Sequence, residues 1–354
     1  MKDYSHSLLF SRYLGYFFLF LLYIGCHKET NGQEIVQTYV NAMTIGEKLT
    51  APTPQPDIYH DDLIHPCVRY IPEGFAGHKW WLVATPYYGG LSEIENPILY
   101  YGDSRPGNLP PLSYTATCIV AGNNVTGYNS DPCLYYDGKK LWIFWRENYT
   151  PACTAAGVTR ATVGVYTKDG YTFSKKKIFA KEPSSTEDHE MCPIVSEVNG
   201  KIKLFACHHM FTPQRIPLGI SIWDIENNDL ENAEFTKTID LLPKYKSGFD
   251  FWHFDIFTYK NMYYCVVTPE NADQILLGES SDGLNFKFWD TPLISSAYTG
   301  ANYLYKPSAT VLNGIFYLWY PIQEPNSTPR TTRLWMSSIN FETLLSILRR
   351  QQVS

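Results

Sequence analysis

Carboxylates and imidazoles recur at one position of a repeated strand start, and these are side chains that can carry protons near neutral pH. The starts read His65-Pro66-Cys67-Val68, Asp131-Pro132-Cys133-Leu134, Cys192-Pro193-Ile194-Val195, His253-Phe254-Asp255-Ile256 and Lys306-Pro307-Ser308-Ala309. Asp188 and Glu190 lie just before Cys192, and Asp250 just before His253. Ionisable groups from five distant places can act together only if the chain brings the five starts to one axis.

The spacing predicts that it does. The second residues of the starts stand at 66, 132, 193, 254 and 307, so one unit recurs every 66, 61, 61 and 53 residues. A supersecondary unit repeated in this way is the mark of a propeller or array. In a propeller the first strand of each blade runs along the central channel, which makes equivalent positions converge. Each start leads into a turn and an aromatic strand. In blade two, Leu134-Tyr135-Tyr136 meets Asp137-Gly138 and then Leu141-Trp142-Ile143-Phe144-Trp145. Asp-Gly between two apolar runs signals a hairpin. Asn199-Gly200 and Asn313-Gly314 repeat the signal in blades three and five. Two further tips, Asp169-Gly170 and Asp282-Gly283, read as turns between outer strands. The expected fold is all-β: a five-bladed β-propeller over 57–340, followed by a short C-terminal helix within 341–354.

Composition narrows the partners. The net charge of -6 is spread along the chain, with no basic run of the kind that binds nucleic acid. The 27 Tyr and 9 Trp suit strands and core, and some could stack on sugars. Alternation along strands assigns Trp80, Trp81, Trp142, Trp145 and Trp319 mostly to core. Trp252, beside His253, is the indole expected near the channel. His208-His209 is not read as a metal site, because neighbours on a strand face opposite ways. No metal ligands or cofactor are assigned, and a channel calcium ion is not readable from sequence. A monomer is expected.

The N-terminus reads as a targeting segment. Leu14 to Gly25 is an apolar run of 12 residues, short for a membrane span and suited to a signal peptide. It ends in Gly25-Cys26 before a polar stretch, which resembles a bacterial lipoprotein signal. That resemblance implies a signal peptide over 1–26, lipidation at Cys26, a polar tether over 27–56, and a cell-envelope location on a membrane surface. Seven cysteines remain beyond Cys26. They show no C-x-x-C metal spacing and read as small buried hydrophobes.

Five blades opened by a polar residue resemble the five-bladed propeller glycoside hydrolases, with the arabinanase and xylosidase group (family 43) nearest. The resemblance spans roughly residues 57 to 338 and rests on the architecture and on Asp131-Pro132. It implies a carbohydrate substrate and acids from different blades at the channel mouth. Glycosidic cleavage needs one carboxyl to protonate the leaving oxygen and another to activate water or attack. On this reading Asp131 is the base, Glu190 the general acid and Asp255 the group that tunes it. His65, Glu95, Trp252, His253 and Lys306 would contact substrate. Blade one departs from the family pattern, since His65 stands where an acid is expected and Glu95 could compensate. The expected activity is therefore glycoside hydrolysis of a polysaccharide or oligosaccharide. A non-catalytic glycan-binding propeller is the alternative, and a protein-interaction propeller the third reading.

Overall fold

A computed structural model describes residues 41–121, 126–182, 188–211, 215–241, 251–269 and 271–351. The signal segment, Cys26 and Asp250 lie outside the described residues, as does the side chain of Glu190.

Five antiparallel sheets follow one another along the chain. A short strand, β1 (Glu47–Lys48), precedes them. Blade one is β2 (Leu63–Phe75), β3 (His78–Pro86), β4 (Ile98–Gly102) and β5 (Thr115–Ile119). Blade two is β6 (Tyr128–Tyr136), β7 (Leu141–Asn148), β8 (Arg160–Thr167) and β9 (Lys177–Lys181). Blade three is β10 (Asp188–Val198), β11 (Lys201–Phe211), β12 (Arg215–Ile225) and β13 (Phe235–Leu241). Blade four holds β14 (Phe251–Tyr259), β15 (Met262–Pro269), β16 (Gln274–Ser280), β17 (Lys287–Phe288) and β18 (Ile294–Ser295). Blade five is β19 (Ser308–Leu312), β20 (Ile315–Gln323) and β21 (Thr332–Asn340), with β1 as its outer strand. Glu47 pairs with Met336 and Lys48 with Trp335, so the first and last strands share a sheet. The segment read from sequence as tether thus supplies part of blade five.

The proline-led starts do a specific job. The ladder shifts register between Ile64 and Cys67, between Ser130 and Cys133, and between Met191 and Ile194. Each shift is a bulge holding one residue and its proline. Proline has no N–H for a ladder, so a bulge is where a strand tolerates it. The residues before the prolines, His65, Asp131 and Cys192, have φ of 54°, 55° and 54°. That left-handed conformation costs a non-glycine residue about 1–2 kcal/mol. It turns each side chain out of the pleat, as bulges beside functional sites commonly do.

Two residues further on, a ring of hydrogen bonds ties the inner strands together. Ser308 Oγ accepts the N–H of Val68 at 2.9 Å, and Cys67 Sγ that of Leu134 at 3.1 Å. Cys133 Sγ accepts the N–H of Val195 at 3.4 Å, and Asp255 Oδ2 that of Ala309 at 3.3 Å. The Ile194 side chain carries no acceptor, and Asp255 Oδ1 takes the Ile256 N–H instead. These groups fill the middle of the channel. Above them, His65 and Asp131 face one mouth. Below them, Arg69, Tyr135 and Ser196 line a separate cavity of about 340 Å³. All seven cysteines of the propeller are free thiols. The closing helix, Phe341–Gln351, buries Phe341, Leu344, Leu345 and Leu348 against blades four and five.

Candidate functional site

Asp131 is the hub of the upper mouth. It is 1 % exposed, and both its oxygens face polar or charged partners. Its Oδ1 lies 3.2 Å from His253 Nε2 and 3.4 Å from His65 Nε2. Its Oδ2 lies 3.2 Å from Arg146 Nη2, and Ser130 Oγ donates to it at 3.3 Å. Burial favours the neutral acid, but the Arg146 guanidinium, His65 and His253 outweigh it and hold the carboxyl well below the ordinary range. Burial also lowers the pKa of both histidines, which keeps the imidazoles neutral near pH 7. The two rings sit 4.8 Å apart.

Glu95 is the second carboxyl. It is 4 % exposed, and its Oε2 approaches His65 Nδ1 at 3.6 Å. That oxygen has no hydrogen-bond partner among the described residues. Burial raises its pKa, with His65 partly opposing. The pair is therefore split: Asp131 stays ionised while Glu95 is eased toward the protonated form. Divergent pKa values in neighbouring acids are a common mark of acid–base chemistry.

These groups floor a pocket of about 130 Å³. That is room for about four waters, and less than a pocket for a drug-sized ligand. Tyr87, Tyr128, Trp252 and Tyr305 wall it. The Trp252 and Tyr305 rings lie 5.6 Å apart. Burial raises the phenol pKa of Tyr87 and of Tyr128, so both keep a hydroxyl proton to donate.

Of the residues singled out from sequence, His65, Glu95, Asp131, Trp252 and His253 all line this pocket. Lys306 does not. It is fully buried, and its Nζ donates to the Pro132 carbonyl at 2.6 Å. Asp255 is also elsewhere. It receives Arg69 through two bonds of 2.8 and 2.9 Å and Ser308 Oγ at 2.7 Å, in the ring that plugs the channel. Glu190 is on β10 opposite His208, and Cys192 occupies the blade-three position equivalent to Asp131. His208 is buried, with Nδ1 3.1 Å from Ser221 Oγ.

Sequence reasoning passed over Arg146, Tyr87, Tyr128 and Tyr305. Arg146 had a signal: it is a charge ending the apolar run Leu141 to Trp145. It stands directly across the ladder from Ser130, which carries it to the neighbouring Asp131. The tyrosines had no signal in a chain so rich in that residue.

The donor set suits a cation. His65, Asp131 and His253 each offer one ligand atom, and these atoms lie within 4.8 Å of one another.

No protein-family model matches the chain, and no curated protein is similar to it in sequence. Solved structures are similar in fold. An N-acetylgalactosamine deacetylase from F. plautii, in complex with blood group B trisaccharide, superposes with a TM-score of 0.69. The overlay covers 86% of this chain and 97% of that one at 15% identity. The GH43 protein BlXynB from Bacillus licheniformis gives 0.55 at 11% identity, over 79% of this chain and 55% of that one. A GH43_1 enzyme from Xanthomonas citri gives 0.54 at 10% identity, over 78% and 87%. This chain shares their five-bladed propeller fold. Identities this low carry the fold and not the chemistry.

Proposed function

We propose that this propeller is a carbohydrate-active hydrolase whose reaction centre is the pocket of His65, Glu95, Asp131 and His253. One observation carries the proposal: a buried Glu95 with a raised pKa, its Oε2 without a hydrogen bond among the described residues, faces the same small cavity as the ionised Asp131. Glu95 is the group able to move a proton, and Asp131 holds the histidines.

Removal of an acyl group from a sugar fits this inventory best. Arg146 and the two imidazoles hold Asp131 as the ionised partner, so Glu95 is the carboxyl able to move a proton, and amide or ester hydrolysis can run with one. Water adds to the acyl carbon as Glu95 takes its proton. The C–N or C–O bond to the sugar then breaks as Glu95 returns that proton to the leaving atom. One water is consumed, and a carboxylic acid and a free amine or hydroxyl result. Tyr87 and Tyr128 supply hydroxyl donors for the charge that develops on the acyl oxygen. The pocket's size supports entry of a substituent such as an acyl group, not a long glycan. The fold overlay with the N-acetylgalactosamine deacetylase along nearly all of that chain supports the same reading.

Glycosidic cleavage is the second reading. The opposed pKa shifts of Glu95 and Asp131 and the GH43 overlays favour it. Incubating purified protein with acetylated and de-acetylated glycans separates the two. Released acetate marks the first, new reducing ends the second. Glycan retention with neither product, unchanged in Glu95→Gln, would leave a binding module and sink both.

Export and lipidation at Cys26 complete the proposal, resting on the apolar run and the Gly25-Cys26 junction. A lipid-held hydrolase would act on glycans at a cell surface.

A further inference from the structure

We propose that His65 Nε2, Asp131 Oδ1 and His253 Nε2 form the binding site of one divalent transition-metal ion of the zinc class. The inference deepens the proposed function, since it rests on the same pocket. Its ground is geometric.

Zinc-class ions bind nitrogen and oxygen donors at about 2.0–2.1 Å. Two donors at tetrahedral angles around such an ion lie about 3.3–3.4 Å apart, by the same bond length. The two imidazole nitrogens stand 3.2 and 3.4 Å from the one carboxylate oxygen. Three donors leave open positions, as catalytic sites of this kind require. The donor types decide the class. Two imidazoles and one carboxylate suit zinc, iron, cobalt or nickel, whereas calcium and magnesium take sets of oxygens.

The surroundings are those of a built site. Ligating histidines usually bond through the other ring nitrogen to an orienting partner. His65 Nδ1 has Thr85 Oγ1 at 3.2 Å and Glu95 at 3.6 Å, whereas His253 Nδ1 has no hydrogen-bond partner among the described residues. Arg146 and Ser130 anchor the far oxygen of Asp131, leaving Oδ1 turned to the histidines. The Glu95 Oε2 atom, buried and without a hydrogen-bond partner, faces the same cavity. The bulges of β2 and β6 aim His65 and Asp131 here at the cost of positive φ, and β14 brings His253 from a third blade. Such an ion would polarise a carbonyl and acidify bound water, adding to the proton transfer proposed for Glu95.

The test uses the full, untagged chain, stripped with a chelator and then titrated calorimetrically with Zn²⁺, Co²⁺ and Ca²⁺. One equivalent of Zn²⁺ and of Co²⁺ should bind, Co²⁺ with visible d–d bands, and Ca²⁺ should not compete. His65→Gln and His253→Gln should each weaken binding by about 100-fold or more. His208→Gln should leave it unchanged. Melting curves of the stripped variants confirm that each is folded. Absence of saturable Zn²⁺ uptake, or uptake that neither pocket variant alters, overturns the inference. Hydrolysis by protein shown to be metal-free overturns it too, while the proposed function stands. Specific metal uptake without turnover supports the ion site and counts against the hydrolase.

Discussion

At the scale of single residues, one carboxylate organises the site. Asp131 aligns two histidines with one oxygen and meets Arg146 with the other. Removing one partner of a buried ion pair leaves a charge unpaired and typically costs about 3–5 kcal/mol. Arg146→Met should therefore destabilise the fold by about 3 kcal/mol at pH 7 in urea denaturation. The pH dependence has a definite sign. In the wild type the folded Asp131 pKa is depressed below 3.8, so its stabilisation is present above that value and fades as pH falls through the depressed one. In the variant, burial is left to raise the pKa, and protonation relieves the unpaired charge. The gap between the two proteins should narrow as the solution is acidified. Glu95 differs, because the proposed function gives it a proton to move. Glu95→Gln should retain the fold and lower kcat by about 10²–10⁴. An unchanged kcat would remove Glu95 from the chemistry.

At the scale of elements, the outer turns show how a local motif fastens one blade to the next. Asp169 Oδ1 accepts the N–H groups of Tyr171 and Thr172 at 2.8 and 2.7 Å. Asp282 Oδ1 accepts those of Leu284 and Asn285 at 2.9 and 2.8 Å in blade four. Both turns pass through a glycine with positive φ, Gly170 and Gly283. A Cβ on Gly170 would meet the Trp81 ring of blade one at 2.6 Å, and one on Gly283 would meet Val198 of blade three at 2.8 Å. The turn therefore packs on the preceding blade, and its backbone must approach closely. Hydrogen bonds from the Thr172 hydroxyl and the Thr172 and Tyr171 amides hold the Asp169 carboxyl below its ordinary range. Its contribution is present above the ordinary value of 3.8 and is lost as pH falls through the lowered one. Asp169→Ala should lower Tm at pH 7, and the difference should shrink in acid. A difference independent of pH would show that the carboxylate charge is not what orders the turn.

At the scale of the whole molecule, closure is the problem a propeller must solve. Blade five joins β1 from one end of the chain to β19–β21 from the other. The helix after β21 then covers apolar surface, with Phe341 fully buried against Phe257, Tyr264 and Phe316. Truncating a buried Phe to Ala costs about 3–5 kcal/mol. Phe341→Ala should show that loss in chemical denaturation, without a change in KM for any substrate found, because the pocket belongs to the other side of the fold. A change in KM would mean that the helix is coupled to the mouth. At the other end of the chain, Cys26→Ala should abolish incorporation of a fatty-acid label and release the protein from membranes. Retention of the label would assign the anchor elsewhere.

Repetition and turn chemistry were legible in the residues alone, because both are local. Asn-Gly and Asp-Gly pairs demand positive φ wherever they stand, and a proline confines its place in a sheet to an edge, a strand start or a bulge. Five such units at near-constant spacing leave few folds, and they already place His65, Asp131 and His253 at one axis. The depth of each group in the channel was not legible. Asp255 is only two residues beyond His253, yet that step carries it from the mouth into the ring that closes the barrel of inner strands, where Arg69 and Ser308 engage it. Lys306 likewise points at a carbonyl of another blade. Cross-ladder and cross-axis partners are set by register between residues tens to hundreds apart, which no local pattern encodes. The chain by itself therefore determined which chemical groups meet the axis. Only the tertiary structure decided that Asp131 turns its oxygens to two histidines and an arginine, with Glu95 on the far side of His65.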